Sequence, residues 1–407
     1  MKREIRASGF VSDEKEIMNG IKAVMSTQWA EGPYTEEFRK VFGKFVNKEF
    51  VVPVNSGSSA NLLALSSLTS HLLENPIKKG DEIITVAACF PTTVNPIIQL
   101  GCVPVFVDVD IPTYNVNIEK LKKAISKKTK AIILAHTLGN PFNINEVKEI
   151  CNKYKLFLIE DCCDALGSTY NKEPVGTYAD LSTYSFYPAH HITAGEGGAV
   201  CTDNPKLNKI LNSMRDWGRE CHCLPGKDNS CGQRFSQKHG NLPKGFDHKY
   251  VYSHIGYNLK WTDIQASILL AQLEKLPEFI QRRKVNFNSL KEGLKQFSDY
   301  IMLPEATDNS EPSWFGFPIT LRKGIDRNDL INYLDKKGIH TRLLFAGNIT
   351  KQPYFLKSNI KYCVRSSLNN SDIIMKQTFW IGVYPAITKT DIDYIIDTFK
   401  KYKWKVK

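Results

Sequence analysis

Between residues 50 and 203, short β-branched runs alternate with stretches whose apolar residues recur at helical spacing. The runs are EFVVPV, DEIITV, VPVFVDV, AIILAH, LFLIE, STYSF and AVCT; between them IEKLKKAIS and INEVKEICNKY carry charges on the face opposite the apolar one. Such alternation predicts an α/β fold, a large, mostly parallel sheet wrapped by helices. Residues 205–260 interrupt it with Gly, Pro, Asn and Cys. So much irregular chain inside a compact protein points to a function or to a clamp of its own, and a metal is one such clamp. After Asp263 a helical pattern runs through QASILLAQLEKL, meets Pro277 and resumes in FIQRRKVNFNSLKEGLKQF, a bridge between lobes. The strands WFGFPIT and FWIGV and the helices DRNDLINYLDKKG and DIDYIIDTFKKY predict a small C-terminal α+β lobe. The expected organisation is a large domain over residues 1–280, with an N-terminal segment and the insertion 205–260, followed by a small domain over 281–407.

Composition narrows the function classes. At 407 residues the chain is long enough for two or three lobes, and 42% apolar with 24% charged residues is an ordinary globular balance. No apolar run reaches the roughly 18 to 20 residues of a membrane helix, and the opening MKREIRASGF lacks the apolar stretch of a signal peptide, so a cytoplasmic protein without a membrane partner is expected. The net charge of +12 comes from scattered lysines and arginines, and no nucleic-acid module accompanies it. The surplus suits a phosphorylated metabolite or an acidic protein partner better than DNA or RNA. Ten cysteines in a reducing compartment point, where they cluster, to metal or catalysis rather than to disulfides.

Three segments carry candidate chemistry. Asn55-Ser56-Gly57-Ser58-Ser59 follows a strand-like run and opens the helix-prone ANLLALSSL, presenting free N–H groups and a positive dipole end suited to phosphate. Asp161 closes LFLIE, at the carboxyl end of a buried strand where open α/β sheets bind ligands. Ser185-Phe186-Tyr187-Pro188-Ala189-His190-His191-Ile192-Thr193 leads to a glycine turn at 195–198. Singly these are ordinary caps, core aromatics and turns. In order, from WAEGPYTEEF to the C-terminal lobe, they resemble the sugar aminotransferase-like family of pyridoxal-phosphate fold type I proteins. The resemblance implies that Gly57, Ser58 and Ser185 hold the cofactor phosphate, that Phe90 stacks on the pyridine ring and that Asp161, reinforced by Asp164, pairs with the ring nitrogen. It also implies a homodimer in which Asn258 reaches the phosphate of the neighbouring subunit.

Ordinary members of that family carry a lysine five residues after the serine matching Ser185, and here the position is His190. An imidazole cannot make the covalent bond to the cofactor aldehyde that lysine makes, so the cofactor is expected to be held noncovalently, as pyridoxamine phosphate. A histidine at that place can move protons near neutrality. SFYPAHHITAGEGG is similar to the keto-sugar 3-dehydratase subgroup, with His190 as the base, His191 as a spectator and Tyr187 as a neighbour of the reacting centre.

Cys221, Cys223 and Cys231 lie in the irregular segment and Cys163 lies two residues after Asp161, with 57, one and seven residues intervening. Four thiolates suit tetrahedral zinc or an iron–sulfur cluster, and spacing alone does not choose between them or exclude inert buried thiols. RDWGRECHC and CGQRF around the cysteines resemble the subgroup members that carry a [2Fe–2S] cluster in 3,6-dideoxyhexose biosynthesis. That resemblance implies a CDP-linked 4-keto-6-deoxyglucose-type substrate, loss of its C3 hydroxyl, and a separate NADH-dependent flavin and iron–sulfur reductase that completes the deoxygenation. Arg342, Phe345 and Asn348 are expected on the substrate side. Two rivals stand beside this reading: an iron-free dehydratase of GDP-linked 4-keto-6-deoxymannose, and a non-catalytic cofactor-binding protein that has lost its lysine.

Overall fold

The computed structural model of the chain describes residues 3–221, 223 and 229–405. Its centre is an eight-stranded sheet in the order Phe50–Val54, Gly198–Thr202, Leu181–Ser185, Phe157–Asp161, Thr129–Ala135, Glu82–Val86, Val103–Val107, Cys363–Val364. Neighbours pair in parallel except around Gly198–Thr202, which is antiparallel to both of its partners. Each of the seven β-branched runs supplies one strand, and IEKLKKAIS and INEVKEICNKY become the helices Ile118–Ala124 and Ile144–Tyr154. Glu82–Val86, Val103–Val107, Leu181–Ser185 and Gly198–Thr202 are buried along their whole length. Helices covering both faces of a sheet require this, which is why these runs are nearly continuous in apolar or small residues. The eighth strand comes from far along the chain and is two residues long, too short for any pattern to announce it.

The second lobe is a four-stranded antiparallel sheet of Ile301–Met302, Gly316–Leu321, Thr378–Gly382 and Arg342–Leu343, flanked by the helices Arg327–Lys336 and Lys389–Lys401. The bridge is a single helix, Asp263–Leu294, with Pro277 inside it rather than at a break. Leu269, Leu273, Leu276 and Phe279 pack in the core of the large sheet, whereas Phe287, Leu290 and Leu294 pack in the core of the small lobe. The boundary expected at 280/281 therefore falls within one continuous element shared by both cores. Residues 205–260 are also more regular at their start than their composition suggests: Pro205–Arg215 is a helix capped by Asn204, and turns follow. Arg215, buried at the end of that helix, pairs with Glu31 and so ties the start of the irregular segment to the body of the protein.

The parallel strands end on one edge of the sheet, at Val54, Val86, Ala135, Asp161 and Ser185. The candidate chemistry gathers there.

Candidate cofactor and metal sites

A cavity of about 950 Å³ lies at this carboxyl edge and brings together Gly57, Ser58, Phe90, Asp161, Ser185 and His190, with Tyr187, Asp164 and Cys163 also on its wall. Its size is that of a pocket for a cofactor together with a small substrate. The helix Gly57–Ser67 begins at its floor, where the Ser56 side chain accepts from the Ser59 N–H at 3.1 Å. That cap leaves the first N–H groups of the helix, those of Gly57 and Ser58, without intrahelical acceptors. A Cβ at Gly57 would stand 2.5 Å from Ser185 Cβ and 3.1 Å from Cys163 Sγ, so only glycine lets the helix end approach the neighbouring strand this closely. The result is a cradle of N–H groups and the Ser185 hydroxyl at a positive dipole end, fitted to a phosphate group.

Asp161 is 5% exposed and held from two sides. Asn61 Nδ2 and Thr93 Oγ1 each donate to its Oδ2 at 2.8 Å, the Cys163 N–H donates to Oδ1 at 3.2 Å, and Thr183 Oγ1 orients Asn61 by donating to its amide oxygen at 2.6 Å. A carboxylate fixed at a strand end in this way fits a protonated ring nitrogen. Phe90 caps the helix Pro91–Gln99, is half exposed at the cavity mouth and meets Phe345 edge to face at 5.6 Å. Arg342 and Phe345 line the same cavity, whereas Asn348 is buried and donates to Asp372 at 2.7 Å. Asn258 forms an antiparallel bridge with Asp216 and accepts from Lys260 at 3.0 Å, and is not among the residues lining the cofactor cavity.

His190 stands in the cavity with its ring 5.2 Å from Phe315 and 6.5 Å from Tyr187. Its N–H donates to the Tyr187 carbonyl at 2.9 Å, and its own carbonyl accepts from Arg283 Nη2 at 3.3 Å. Arg283 is wholly buried and also donates to the Trp314 and Phe315 carbonyls, at 3.2 Å each. His190 Nδ1 has no hydrogen-bond partner among the described residues and lies 3.6 Å from the Asp164 carboxyl. Burial and the nearby Arg283 hold the imidazole neutral, with its pKa brought down to about 3. Burial and the Asp161 carboxylate push Asp164 up to about 8. His191, in contrast, is buried and donates through Nε2 to the Ser313 carbonyl at 2.8 Å.

Three of the four candidate metal ligands converge elsewhere. Cys221, Cys223 and Cys231 place Sγ at 3.3, 4.0 and 3.7 Å from Nε2 of His248. Cys221, Cys223 and His248 border a second cavity of about 860 Å³, together with the basic side chains Lys209, Arg219 and Lys260. Burial works against ionisation of Cys223, but hydrogen bonds from Ser230 and the neighbouring cysteines bring its thiol down to about 7. Cys163 instead lines the cofactor cavity, where burial and Asp161 keep its thiol well above the usual range. Cys162 next to it is fully buried in the core, and the chain turns at Cys163 just past the strand end.

The sequence reading passed over Asn61, Thr93, Thr183, Arg283 and His248. Asn61, Thr93, Thr183 and Arg283 each reach their partners across 25 residues or more, and His248 lies 17 residues beyond Cys231 in DHKYVYSHIGYNLK, a segment that was matched without a role for its histidine.

Residues 11–400 match the DegT/DnrJ/EryC1/StrS aminotransferase family. The chain is 55% identical over 398 residues to the lipopolysaccharide biosynthesis protein RfbH of Salmonella typhimurium, covering 97% of this chain and 91% of that protein. It is 50% identical over 401 residues to the dTDP-4-dehydro-2,6-dideoxy-D-glucose 3-dehydratase of Saccharopolyspora spinosa, covering 98% of this chain and 86% of that one. Among solved structures it is similar to the Escherichia coli GDP-4-keto-6-deoxy-D-mannose-3-dehydratase with bound hydrated PLP. The TM-score is 0.87 at 30% identity, over 98% of this chain and 100% of that chain.

Proposed function

The chain belongs to the DegT/DnrJ/EryC1/StrS aminotransferase family, and within it we propose that it is a lyase that removes the C3 hydroxyl of a nucleotide-linked 4-keto-6-deoxy sugar as water. The observation that carries this reading is His190, a neutral imidazole on the wall of the cofactor cavity at the family's lysine position. Relatives named as sugar 3-dehydratases support the reaction class. The finer proposal is a CDP-linked 4-keto-6-deoxyglucose as substrate, pyridoxamine phosphate and a [2Fe–2S] cluster as cofactors, and a separate NADH-dependent flavin and iron–sulfur reductase as electron donor. It rests on the sequence resemblance, and the thiol-rich cluster around His248 is compatible with it.

The residues present fit pyridoxamine phosphate: Gly57, Ser58 and Ser185 would take the phosphate, Asp161 the ring nitrogen and Phe90 one ring face. When bound, that group supplies an amine for the sugar's C4 ketone and a pyridinium electron sink. Asp161, fixed by Asn61 and Thr93, keeps the ring nitrogen protonated so that the sink stays effective. With the cofactor bound, His190 would accept a proton from the carbon that bears its amine and would return a proton to the departing C3 hydroxyl, which leaves as water. A histidine held neutral is already in its base form throughout the physiological range. Asp164, 3.6 Å from Nδ1, stands within reach of the ring as it gains and loses a proton. Arg283 holds the His190 main chain, so the imidazole is positioned from behind while its ring stays free toward the cavity.

The test is anaerobic incubation of the pyridoxamine-loaded protein with CDP- and GDP-linked 4-keto-6-deoxy sugars, with and without reductase and NADH. A 3-deoxy product from the CDP sugar that requires the reductase is expected. A 4-amino sugar with its C3 hydroxyl intact overturns the reading, and deoxygenation of the GDP sugar with glutamate in place of the reductase selects the iron-free alternative.

A further inference from the structure

We propose that the N-terminal segment forms the substrate-side wall of the cofactor cavity and that the Ser8 hydroxyl recognises the C2 hydroxyl of the sugar. The inference rests on the substrate class proposed above and adds to it the residue that reads one position of the sugar ring.

The segment is anchored on both lobes. On the small lobe, Arg3 donates through Nε at 3.0 Å and Nη2 at 2.6 Å to Asp391 and lies 4.6 Å over the Tyr394 ring. The Ile5 N–H donates to the Gly338 carbonyl at 2.7 Å, and the Ile5 carbonyl accepts from the His340 N–H at 2.9 Å, next to the strand Arg342–Leu343. On the large lobe, Gln272 of the bridging helix donates to the Val11 carbonyl at 2.9 Å and accepts from the Thr193 N–H at 3.3 Å. That one side chain ties the exit of the segment to the loop that carries His190. Asp13 and Glu16 then cap the helix Glu14–Met25, and each pairs with Lys275 at 2.7 Å.

Between these anchors the chain crosses the end of the strand Thr378–Gly382. A Cβ at Gly382 would stand 2.6 Å from the Arg6 and Ala7 carbonyl oxygens, so glycine there lets the segment lie directly on the strand end. The chain bends at Ala7 and Ser8. Ala7 is buried in the core of the large sheet, and Ser8 lines the cavity. Its neighbours on the wall belong to the small lobe: Arg342 and Leu343, with Trp380 opposite Arg342 on the next strand. Phe315 joins this wall to the reacting centre, with its ring 5.4 Å from Trp380 and 5.2 Å from His190. The groups fitted to the cofactor come from the large sheet, which leaves the wall containing Ser8 to the substrate.

The chemistry of the sugar selects the contact. A 4-keto-6-deoxyhexose joined to its nucleotide through C1 carries hydroxyls on C2 and C3 alone, and the reaction removes the one on C3. A side chain that holds the sugar before and after that step therefore has the C2 hydroxyl to bind. The Ser8 hydroxyl can donate and accept, and it has no hydrogen-bond partner among the described residues. C2 adjoins the phosphate-bearing C1. Among the described residues Arg342 is the only lysine or arginine that lines this cavity, and a guanidinium on the same wall as Ser8 suits that phosphate.

The experiment measures by calorimetry the affinity of the full chain, loaded with pyridoxamine phosphate, for CDP-linked 6-deoxyglucose and for its 2-deoxy analogue. Both carry a C4 hydroxyl in place of the ketone and so cannot condense with the cofactor's amine. Wild type, Ser8→Ala and Ser8→Thr are compared. Wild type should bind the sugar with its C2 hydroxyl about tenfold more tightly than the 2-deoxy sugar. Ser8→Ala should lose that preference while its affinity for the 2-deoxy sugar stays within about twofold of wild type, and Ser8→Thr, which keeps a hydroxyl, should keep the preference. A preference that survives in Ser8→Ala overturns the inference. So does an equal loss of affinity for both sugars, which a purely structural role for Ser8 would give. If wild type binds both sugars alike, the substrate reading stands and the C2 contact falls; if it holds its cofactor but binds neither sugar, the substrate reading falls and takes the contact with it.

Discussion

An imidazole in place of an amine at residue 190 changes both what the site holds covalently and which proton it can move. Borohydride should leave the wild-type cofactor removable by gel filtration, whereas His190→Lys, which restores a primary amine to the cavity, should retain cofactor fixed by reduction; release of cofactor from the lysine variant would place residue 190 too far from the aldehyde. Asp164 gives this neighbourhood a pH signature. Its folded value of about 8 lies above the 3.8 of an unperturbed aspartate, so its contribution to stability is complete below about pH 4 and is lost as pH rises through 8. Melting curves of the cofactor-free protein should therefore show wild type falling relative to Asp164→Asn between pH 5 and 9, and a constant gap would contradict the assignment. The positions of His190, Asp161 and Gly57 were legible in the sequence because each stands in a short run whose order carries meaning. Asn61, Thr93 and Arg283 were not, because their roles exist only once separate elements meet around Asp161 and the His190 carbonyl.

At the scale of elements, seven of the eight strands of the large sheet could be read directly, since a strand buried on both faces leaves a run of β-branched or small residues whatever lies beyond it. Pro277 misled, because a missing N–H marks a helix break only where packing does not hold the chain in line. Here both cores grip the helix Asp263–Leu294 on either side of that residue. Leu290→Ala, which empties part of the small-lobe core, should cost roughly 2–5 kcal/mol in urea unfolding; a cost below 1 kcal/mol would mean that the helix is not anchored there. At the other end of the site, Gly57→Ala forces a Cβ against Ser185 and should weaken cofactor binding about tenfold, a loss of about 1.4 kcal/mol. Unchanged affinity in a cofactor titration would remove the phosphate from that helix end.

Across the whole molecule, Asn258 and the cluster around His248 lie on one run of chain, which is joined to the preceding segment at Asp216. If Asn258 serves the neighbouring subunit, as the sequence resemblance implies, His190→Asn and Asn258→Ala chains that are each inactive should complement when mixed and reassembled. Half of the dimers would then be mixed, each with one intact site, giving about a quarter of wild-type activity; no recovery would confine the site to one chain. Lys209, Arg219 and Lys260 beside the cluster are paired with Glu220 and Asp216, so the net charge of +12 is not concentrated at that cavity. Among the described residues no helix is long and apolar enough to cross a membrane.

The central claim, that His190 moves the proton whose loss expels the C3 hydroxyl, is tested most directly on the cofactor itself. Pyridoxamine phosphate deuterated at the carbon bearing its amine is bound to the protein, substrate is added, and deuterium remaining at that carbon is followed by mass spectrometry in wild type and His190→Asn. Washout in wild type that slows by about 10²–10⁴-fold in the variant, with cofactor affinity unchanged, is the expected result. Washout at the same rate in both would assign the proton to another residue and contradict the account.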